Sequence, residues 1–141
     1  MNILVVTPGH PGPDVKSLPP ALTAPYLAAL ATPYADDIRV IDLAVDTIDP
    51  KSPPPDVVLI TATMAQFPQM YKVAAYYKKN GATIIMGGPY PSLAYDFDER
   101  IKEMADCVVI GEGEKALPQA LEDLAAGRLR ATYRRPVDSL K

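Results

Sequence analysis

The sequence has 141 residues, the length of a single domain with one buried core. Its formal net charge of −3 is the wrong sign for a nucleic-acid-binding surface. The single cysteine, Cys107, excludes an internal disulfide and a metal site built from several cysteines. No apolar run approaches the roughly 20 residues that span a bilayer, and the first nine residues lack the basic region of a signal peptide. We therefore expect a cytoplasmic protein with neither a nucleic-acid nor a membrane partner.

Short apolar runs rich in β-branched residues alternate with segments of helical periodicity. The predicted strands cover 2–6, 37–43, 56–61, 82–88 and 106–114, the last of which runs into a loop. The predicted helices cover 21–31, with Pro25 in the first turn, and 66–81, 95–105 and 115–127. Residues 128–141 are charged and aperiodic, which predicts a linker.

The alternation of strands and helices predicts the fold class. Such an order gives right-handed crossovers and a parallel sheet covered on both faces. We expect an α/β fold, a flavodoxin-like or Rossmann-like three-layer sandwich with a five-stranded parallel sheet in the order 2-1-3-4-5. In open sheets of this kind a ligand binds beyond the carboxyl ends of the strands, at the switch point.

Glycines and small hydroxyls collect where the predicted strands end. The candidate cofactor-binding residues at this edge are Thr7, Pro8, Gly9 and His10 after the first strand, Thr61, Ala62, Thr63 and Met64 after the third, Gly87, Gly88, Pro89 and Tyr90 after the fourth, and Gly111, Glu112 and Gly113 after the fifth. Glycine allows positive φ and close approach to the backbone, and threonine adds hydrogen-bonding groups. The alternative is structural: the glycines only turn the chain, the threonines cap a helix, and the glutamates are solvated.

Several nucleotide and phosphate sites are excluded by missing residues. A phosphate-accepting receiver domain needs acidic groups after the first and third strands, where threonines stand here. A P-loop needs GxxxxGK[ST] and a dinucleotide site needs GxGxxG, and neither pattern occurs in "GHPGPD" or "GEGEKA".

Four segments in this order carry a family resemblance: "PPALTAPYLAALA", "PDVVLITATM", "ATIIMGGPYPS" and "DCVVIGEGEKALPQAL". Together they resemble the cobalamin-binding domain at the N-terminus of radical SAM enzymes, over about residues 2–127. The resemblance implies a cobalamin-binding domain at 1–127, with 128–141 leading to a missing radical SAM domain.

The resemblance also implies roles for the edge residues. The corrin ring would lie across the carboxyl edge of the sheet. Gly87 and Gly88 would leave room for the nucleotide tail of the cofactor, and the hydroxyls of Thr61 and Thr63 would hydrogen-bond it. The 111–113 segment would flank the other side of the tail.

Two positions depart from related patterns. The cobalamin carriers of methionine synthase and the mutases place DxHxxG after the first strand, with histidine on cobalt. Here "TPGHPGPD" has His10 but no aspartate two residues before it and no glycine three residues after it. Because a ligating histidine is normally oriented by a carboxylate, we expect no histidine ligand, and the resemblance to the radical SAM enzymes implies base-off cobalamin. Tyr90 stands where many relatives have histidine.

The chain carries no predicted catalytic residue and no metal ligand. Radical SAM chemistry needs CxxxCxxC to hold an iron–sulfur cluster, so S-adenosylmethionine and the cluster are expected only in a downstream domain of the full-length protein. A stand-alone corrinoid carrier is one alternative. Another is a nucleotide or sugar-nucleotide domain with an anion at the Gly9–Gly12 loop or near Lys115, and a third is a module that only mediates assembly.

Overall fold

The computed structural model describes residues 1–8, 23–63, 66–111 and 113–134. In this part of the chain six parallel strands form one sheet in the order β2-β1-β3-β4-β5-β6. The strands are β1 (Asn2–Thr7), β2 (Asp37–Asp42), β3 (Val57–Thr61), β4 (Thr83–Gly87), β5 (Cys107–Ile110) and β6 (Thr132–Arg134). The helices are α1 (Thr23–Ala31), α2 (Phe67–Lys79), α3 (Pro89–Ala94), α4 (Glu99–Met104) and α5 (Gly113–Ala125). The predicted α/β class and the order 2-1-3-4-5 are confirmed, with a sixth strand beside β5.

Each face of the sheet has its own apolar core. Ile3 and Val5 face α1 and α5, whereas Leu4 and Val6 face α2 and α4. Because both faces are covered, the central strands read as unbroken apolar runs rather than as alternating ones. Full burial of each such aliphatic side chain contributes about 1.5–3 kcal/mol. None of the described helices combines the length and apolar composition needed to cross a membrane.

The β4–β5 connection differs from the prediction of one helix over 95–105. A first helix, α3, begins at Pro89 directly after Gly88. Proline costs no hydrogen bond in the first turn of a helix. The "GGPYPS" segment, whose glycines and prolines are typical of a loop, therefore contains the start of a helix. The second helix, α4, begins only at Glu99, because the Asp98 side chain caps it by accepting a hydrogen bond from the Arg100 main-chain N–H.

The predicted linker over 128–141 is wrong for residues 132–134, which form β6. Tyr133 is buried in the core beneath α5, and its hydroxyl donates to Asp123 Oδ2 at 2.6 Å. Arg130 lies 4.4 Å from the centre of the Tyr133 ring. The described domain therefore extends to Arg134, and a link to a further domain stays a prediction for residues 135–141, which lie outside the described ranges.

Asp98 joins three helices on the α2 face of the sheet. Its carboxylate, only 9% exposed, accepts hydrogen bonds from the hydroxyls of Tyr71 at 2.6 Å and Tyr90 at 2.7 Å. The Arg100 guanidinium donates two more at 3.0 Å and lies over the Tyr71 ring. The Arg100 hydrogen bonds, with those of the two phenols, hold the pKa of Asp98 well below its usual range.

We expect Asp98→Asn to lower the free energy of unfolding at pH 7 by about 1.5–3 kcal/mol, since it weakens charge-assisted hydrogen bonds. The pKa of Asp98 is lower in the folded state, so this contribution is present above the unfolded pKa and is lost as the pH falls toward the folded pKa. The difference from wild type should therefore shrink below about pH 4. Urea unfolding at pH 7 and pH 3 measures it.

Asp96→Asn is the matched control, because the Asp96 side chain is 84% exposed and lies 3.9 Å from Arg134. It should change the stability by less than about 0.5 kcal/mol. Equal effects of the two substitutions would show that Asp98 does not tie the helices together.

Candidate functional site

The β1 and β3 strands are neighbours in the sheet, but the helices that follow them cover opposite faces. The α1 helix packs against the face that carries Ile3, and α2 packs against the face that carries Leu4. In open parallel sheets the carboxyl ends of two such strands border an opening at the switch point, so an opening is expected between the ends of β1 and β3. We call this opening the switch-point crevice; its described border consists of Thr7, Pro8, Thr61, Ala62 and Thr63.

Thr7, at the end of β1, has a buried hydroxyl that is unpaired within the described part of the chain. The residue is 6% exposed, and its Oγ1 has no hydrogen-bond partner among the described residues. Its carbonyl, by contrast, accepts a hydrogen bond from the Leu43 N–H at 3.0 Å. A buried hydroxyl without a partner costs about 1–3 kcal/mol, and a ligand in the crevice would supply the missing hydrogen bond.

Gln66 spans the crevice with its side-chain amide, a role that sequence reasoning missed. Its Nε2 donates to the Pro8 carbonyl at 2.8 Å, and its Oε1 accepts from the Thr63 N–H at 3.0 Å. The Gln66 main-chain N–H also donates to the Thr63 carbonyl at 3.0 Å. The side chain is 6% exposed. Only its place at the predicted start of the second helix was visible in the sequence, because the groups at Pro8 and Thr63 that it joins are main-chain groups.

Gly88 is required by the packing of the protein itself. Its φ of +97° lies in a region that side chains rarely adopt, and a Cβ there would lie 2.7 Å from Thr61 Oγ1 and 3.1 Å from Ala62 N and O. The group that approaches this backbone closely is therefore the end of β3. A Cβ on Gly87 would meet only Val109, at an ordinary 3.6 Å. That these glycines leave room for a ligand stays a prediction.

The neighbouring strand ends are joined by hydrogen bonds of their own. The Ala62 N–H donates to the Gly87 carbonyl at 3.3 Å, and the Tyr90 N–H donates to the Ala62 carbonyl at 3.1 Å. After β5, the N–H of Gly111 donates to Ser92 Oγ at 2.9 Å. These main-chain groups are therefore used within the protein.

Tyr90 is buried rather than presented at the edge. It is 6% exposed, its hydroxyl donates to Asp98, and its ring stacks on Phe67 with the centroids 4.9 Å apart. Burial, together with the hydrogen bond to Asp98, raises the pKa of the Tyr90 hydroxyl. The hydroxyl is thus engaged in the packing of α2, α3 and α4, and its predicted contact with a cofactor stays a prediction.

The other predicted residues fall into two groups. Thr63, Pro89 and Gly111 are exposed, and Gly113 is the first residue of α5. The remaining candidates, Gly9, His10, Met64 and Glu112, lie outside the described residues, as do the Gly9–Gly12 loop and the Lys115 side chain.

The described border of the crevice is uncharged. Its residues are threonines, proline and alanine, with the Gln66 amide across it. Among the described residues, no three histidine, cysteine, aspartate or glutamate side chains come together as a metal site would require. Cys107 is fully buried in β5, where burial raises the pKa of its thiol to about 12. The geometry suits a neutral ligand held by hydroxyls and close backbone.

Residues 14–121 match the family model of the B12 binding domain, which covers more than half of the chain. The chain belongs to the family of B12-binding domains. The predicted family resemblance is thereby confirmed.

Two curated relatives of this B12-binding domain are methyltransferases by name. A bacteriochlorophyllide d C-8(2)-methyltransferase of Chlorobaculum tepidum is 32% identical over 78 residues, which are 55% of this chain and 17% of that protein. An uncharacterized methyltransferase of Pyrococcus horikoshii is 31% identical over 140 residues, 91% of this chain and 30% of that protein. The chain thus spans less than a third of the length of either relative. A solved structure of a hypothetical protein matches at a TM-score of 0.45 with 18% identity, over 88% of this chain and 57% of that one.

The residues at the crevice of this B12-binding domain fit cobalamin, a bulky and largely neutral cofactor with many amides. The unpaired Thr7 hydroxyl offers a hydrogen bond to such a group. No charged side chain borders the described crevice, so a neutral ligand loses little by desolvating it.

We expect Gly88→Ala to destabilise the B12-binding domain far more than Gly81→Ala. Both glycines have positive φ, but nothing lies within 4 Å of a Cβ on Gly81. Gly81→Ala should therefore cost only the backbone strain, about 1–2 kcal/mol. At Gly88 the contacts with Thr61 and Ala62 add about 1–3 kcal/mol. Urea unfolding of both variants tests this, and equal losses would contradict the packing role of Gly88.

Proposed function

We propose that this chain binds cobalamin at the switch-point crevice, in the base-off form and without a histidine ligand. It would serve as the cofactor-holding module of a longer radical SAM methyltransferase. When bound, cobalamin supplies a cobalt centre that can carry a methyl group. The residues of this chain would bind and orient it and take no part as acids or bases.

The observation that carries the proposal is the buried Thr7 hydroxyl, unpaired among the described residues, at the switch point of a B12-binding domain. Thr61 and Thr63, at the end of β3, would add hydroxyls on the other side of the crevice. The neutral border favours a ligand recognised by amides over a nucleotide phosphate, which needs a cluster of donors or cations.

The absence of a histidine ligand is supported by the residue two places before His10. That position holds Pro8, which is buried, and its carbonyl accepts a hydrogen bond from Gln66. It therefore offers no carboxylate to orient an imidazole toward a metal.

The larger enzyme is inferred from the relatives and from the sequence resemblance. Both curated relatives are methyltransferases by name and are more than three times as long as the part they share with this chain. With one cysteine, this chain cannot hold the cluster of a radical SAM site. The catalytic domain would therefore be a separate part of the same protein.

Reconstitution with hydroxocobalamin tests the proposal. The purified protein is mixed with the cofactor, desalted and reduced, and its absorption and electron paramagnetic resonance spectra are recorded. Retained cob(II)alamin without nitrogen superhyperfine splitting supports base-off binding without histidine. Retention with nitrogen splitting contradicts that state, and His10→Ala then separates histidine from the base of the cofactor. No retention by folded protein overturns cobalamin binding, and saturable nucleotide binding would then favour a nucleotide domain.

Thr7→Val should separate a ligand contact from a structural role. Removing an unpaired hydroxyl at constant shape should leave the free energy of unfolding unchanged or raise it. If the hydroxyl bonds the ligand, the affinity for cobalamin should fall about fivefold, the equivalent of one ordinary hydrogen bond.

Absorbance titration with hydroxocobalamin gives the dissociation constant, and urea unfolding gives the stability. Thr83→Val makes the same change at the amino end of β4, far from the carboxyl edge. It should leave the affinity unchanged. Unchanged affinity in Thr7→Val as well would remove Thr7 from the binding site.

A further inference from the structure

We propose that Gln66 is a positioning residue that sets the width of the switch-point crevice by tying the loop after β1 to the loop after β3. The inference rests on the proposed binding of cobalamin at this crevice. It assigns the binding geometry to a side chain that need not touch the ligand.

The bridge requires a group that donates at one end and accepts at the other. The Pro8 carbonyl can only accept, and the Thr63 N–H can only donate. The two hydrogen bonds, at 2.8 and 3.0 Å, therefore fix the orientation of the Gln66 amide. A carboxylate could accept the hydrogen bond from the Thr63 N–H but would repel the carbonyl oxygen of Pro8.

The bridge joins the residues that follow two adjacent strands, β1 and β3. Beyond β3 and β4, main-chain hydrogen bonds between Ala62, Gly87 and Tyr90 already join the two ends. Between the ends of β1 and β3 this connection is made by the side chain of Gln66. Gln66 lies 58 residues from Pro8 in the sequence. Its burial, at 6% exposure, keeps water from competing for either hydrogen bond.

Gln66 is also coupled to the start of α2. Its main-chain N–H bonds the Thr63 carbonyl, and the next residue, Phe67, begins the helix and stacks on Tyr90. The width of the crevice is thereby linked to the packed core on the α2 face. A ligand would meet a preformed opening and would lose little affinity to ordering the two loops.

The test is Gln66→Glu, with cobalamin titrated into the variant and the wild type at pH 8.5 and pH 6. Ionised, the introduced carboxylate keeps the bond from the Thr63 N–H and loses the bond to the Pro8 carbonyl. Burial raises the pKa of the carboxyl, so at pH 6 its protonated form can again donate to Pro8. We expect affinity at least about tenfold weaker than wild type at pH 8.5, and largely restored at pH 6.

The wild type at both pH values corrects for other titrating groups, including His10. Tyr133→Phe is the control for lost stability, since it removes a buried hydrogen bond at β6, an edge strand that is separated from β3 by β4 and β5. It should lower the stability and leave the affinity unchanged in fully folded protein. Gln66→Met, which loses both bonds, should bind weakly at both pH values and lose the hydrogen-exchange protection of the Thr63 amide.

The outcomes separate this inference from the proposed function. If the wild type binds cobalamin and Gln66→Glu binds it with the same affinity at both pH values, the positioning role is overturned and the proposed function is not. Weak binding that does not recover at pH 6 also overturns it, because the restored donor should restore the geometry. A wild type that does not bind cobalamin at all overturns the proposed function and this inference with it.

Discussion

The described helices that follow two adjacent parallel strands, α1 after β1 and α2 after β3, cover opposite faces of the sheet. After β1 the next helix covers the face of Ile3, and after β3 the next helix covers the face of Leu4. The strands themselves stay paired in register from Ile3 and Val57 to Val6 and Ile60. Beyond that point nothing in the sheet ladder holds the two loops together. Everything proposed for this domain depends on how that opening is lined and held.

The groups that line the crevice differ in kind from the groups that hold the neighbouring strand ends together, which we call the frame. The frame is main chain, with the ends of β3 and β4 joined through Ala62, Gly87 and Tyr90. The lining described here is small and uncharged, with the Thr7 hydroxyl unpaired among the described residues. Farther away, the Asp98 cluster fixes α3 and α4 against α2 through charge-assisted hydrogen bonds. Rigid support behind a small neutral opening is what a preformed binding site requires.

The sheet could be predicted from the sequence because each buried strand has a recognisable local pattern of residues. A β-branched run buried on both faces can be recognised without knowing its neighbours. The contacts that decide the rest join distant residues, and no local pattern reports them. Tyr133 lies in a strand that pairs with β5, and its hydroxyl donates to Asp123, a residue of the preceding helix. Gly88 was visible in the sequence as an important position, but its packing against the end of β3, which occupies the space of its missing side chain, was not.

The Gln66 bridge has a consequence for how such a domain can change in evolution. The two groups that it joins are main-chain groups, the carbonyl at position 8 and the amide at position 63. The side chains at these positions can therefore be replaced without loss of the bridge, provided that residue 63 is not proline. Thr63 is exposed at the crevice. On the proposed binding mode, single substitutions at residue 63 would change the contacts with the ligand while the bridge that holds the opening is kept.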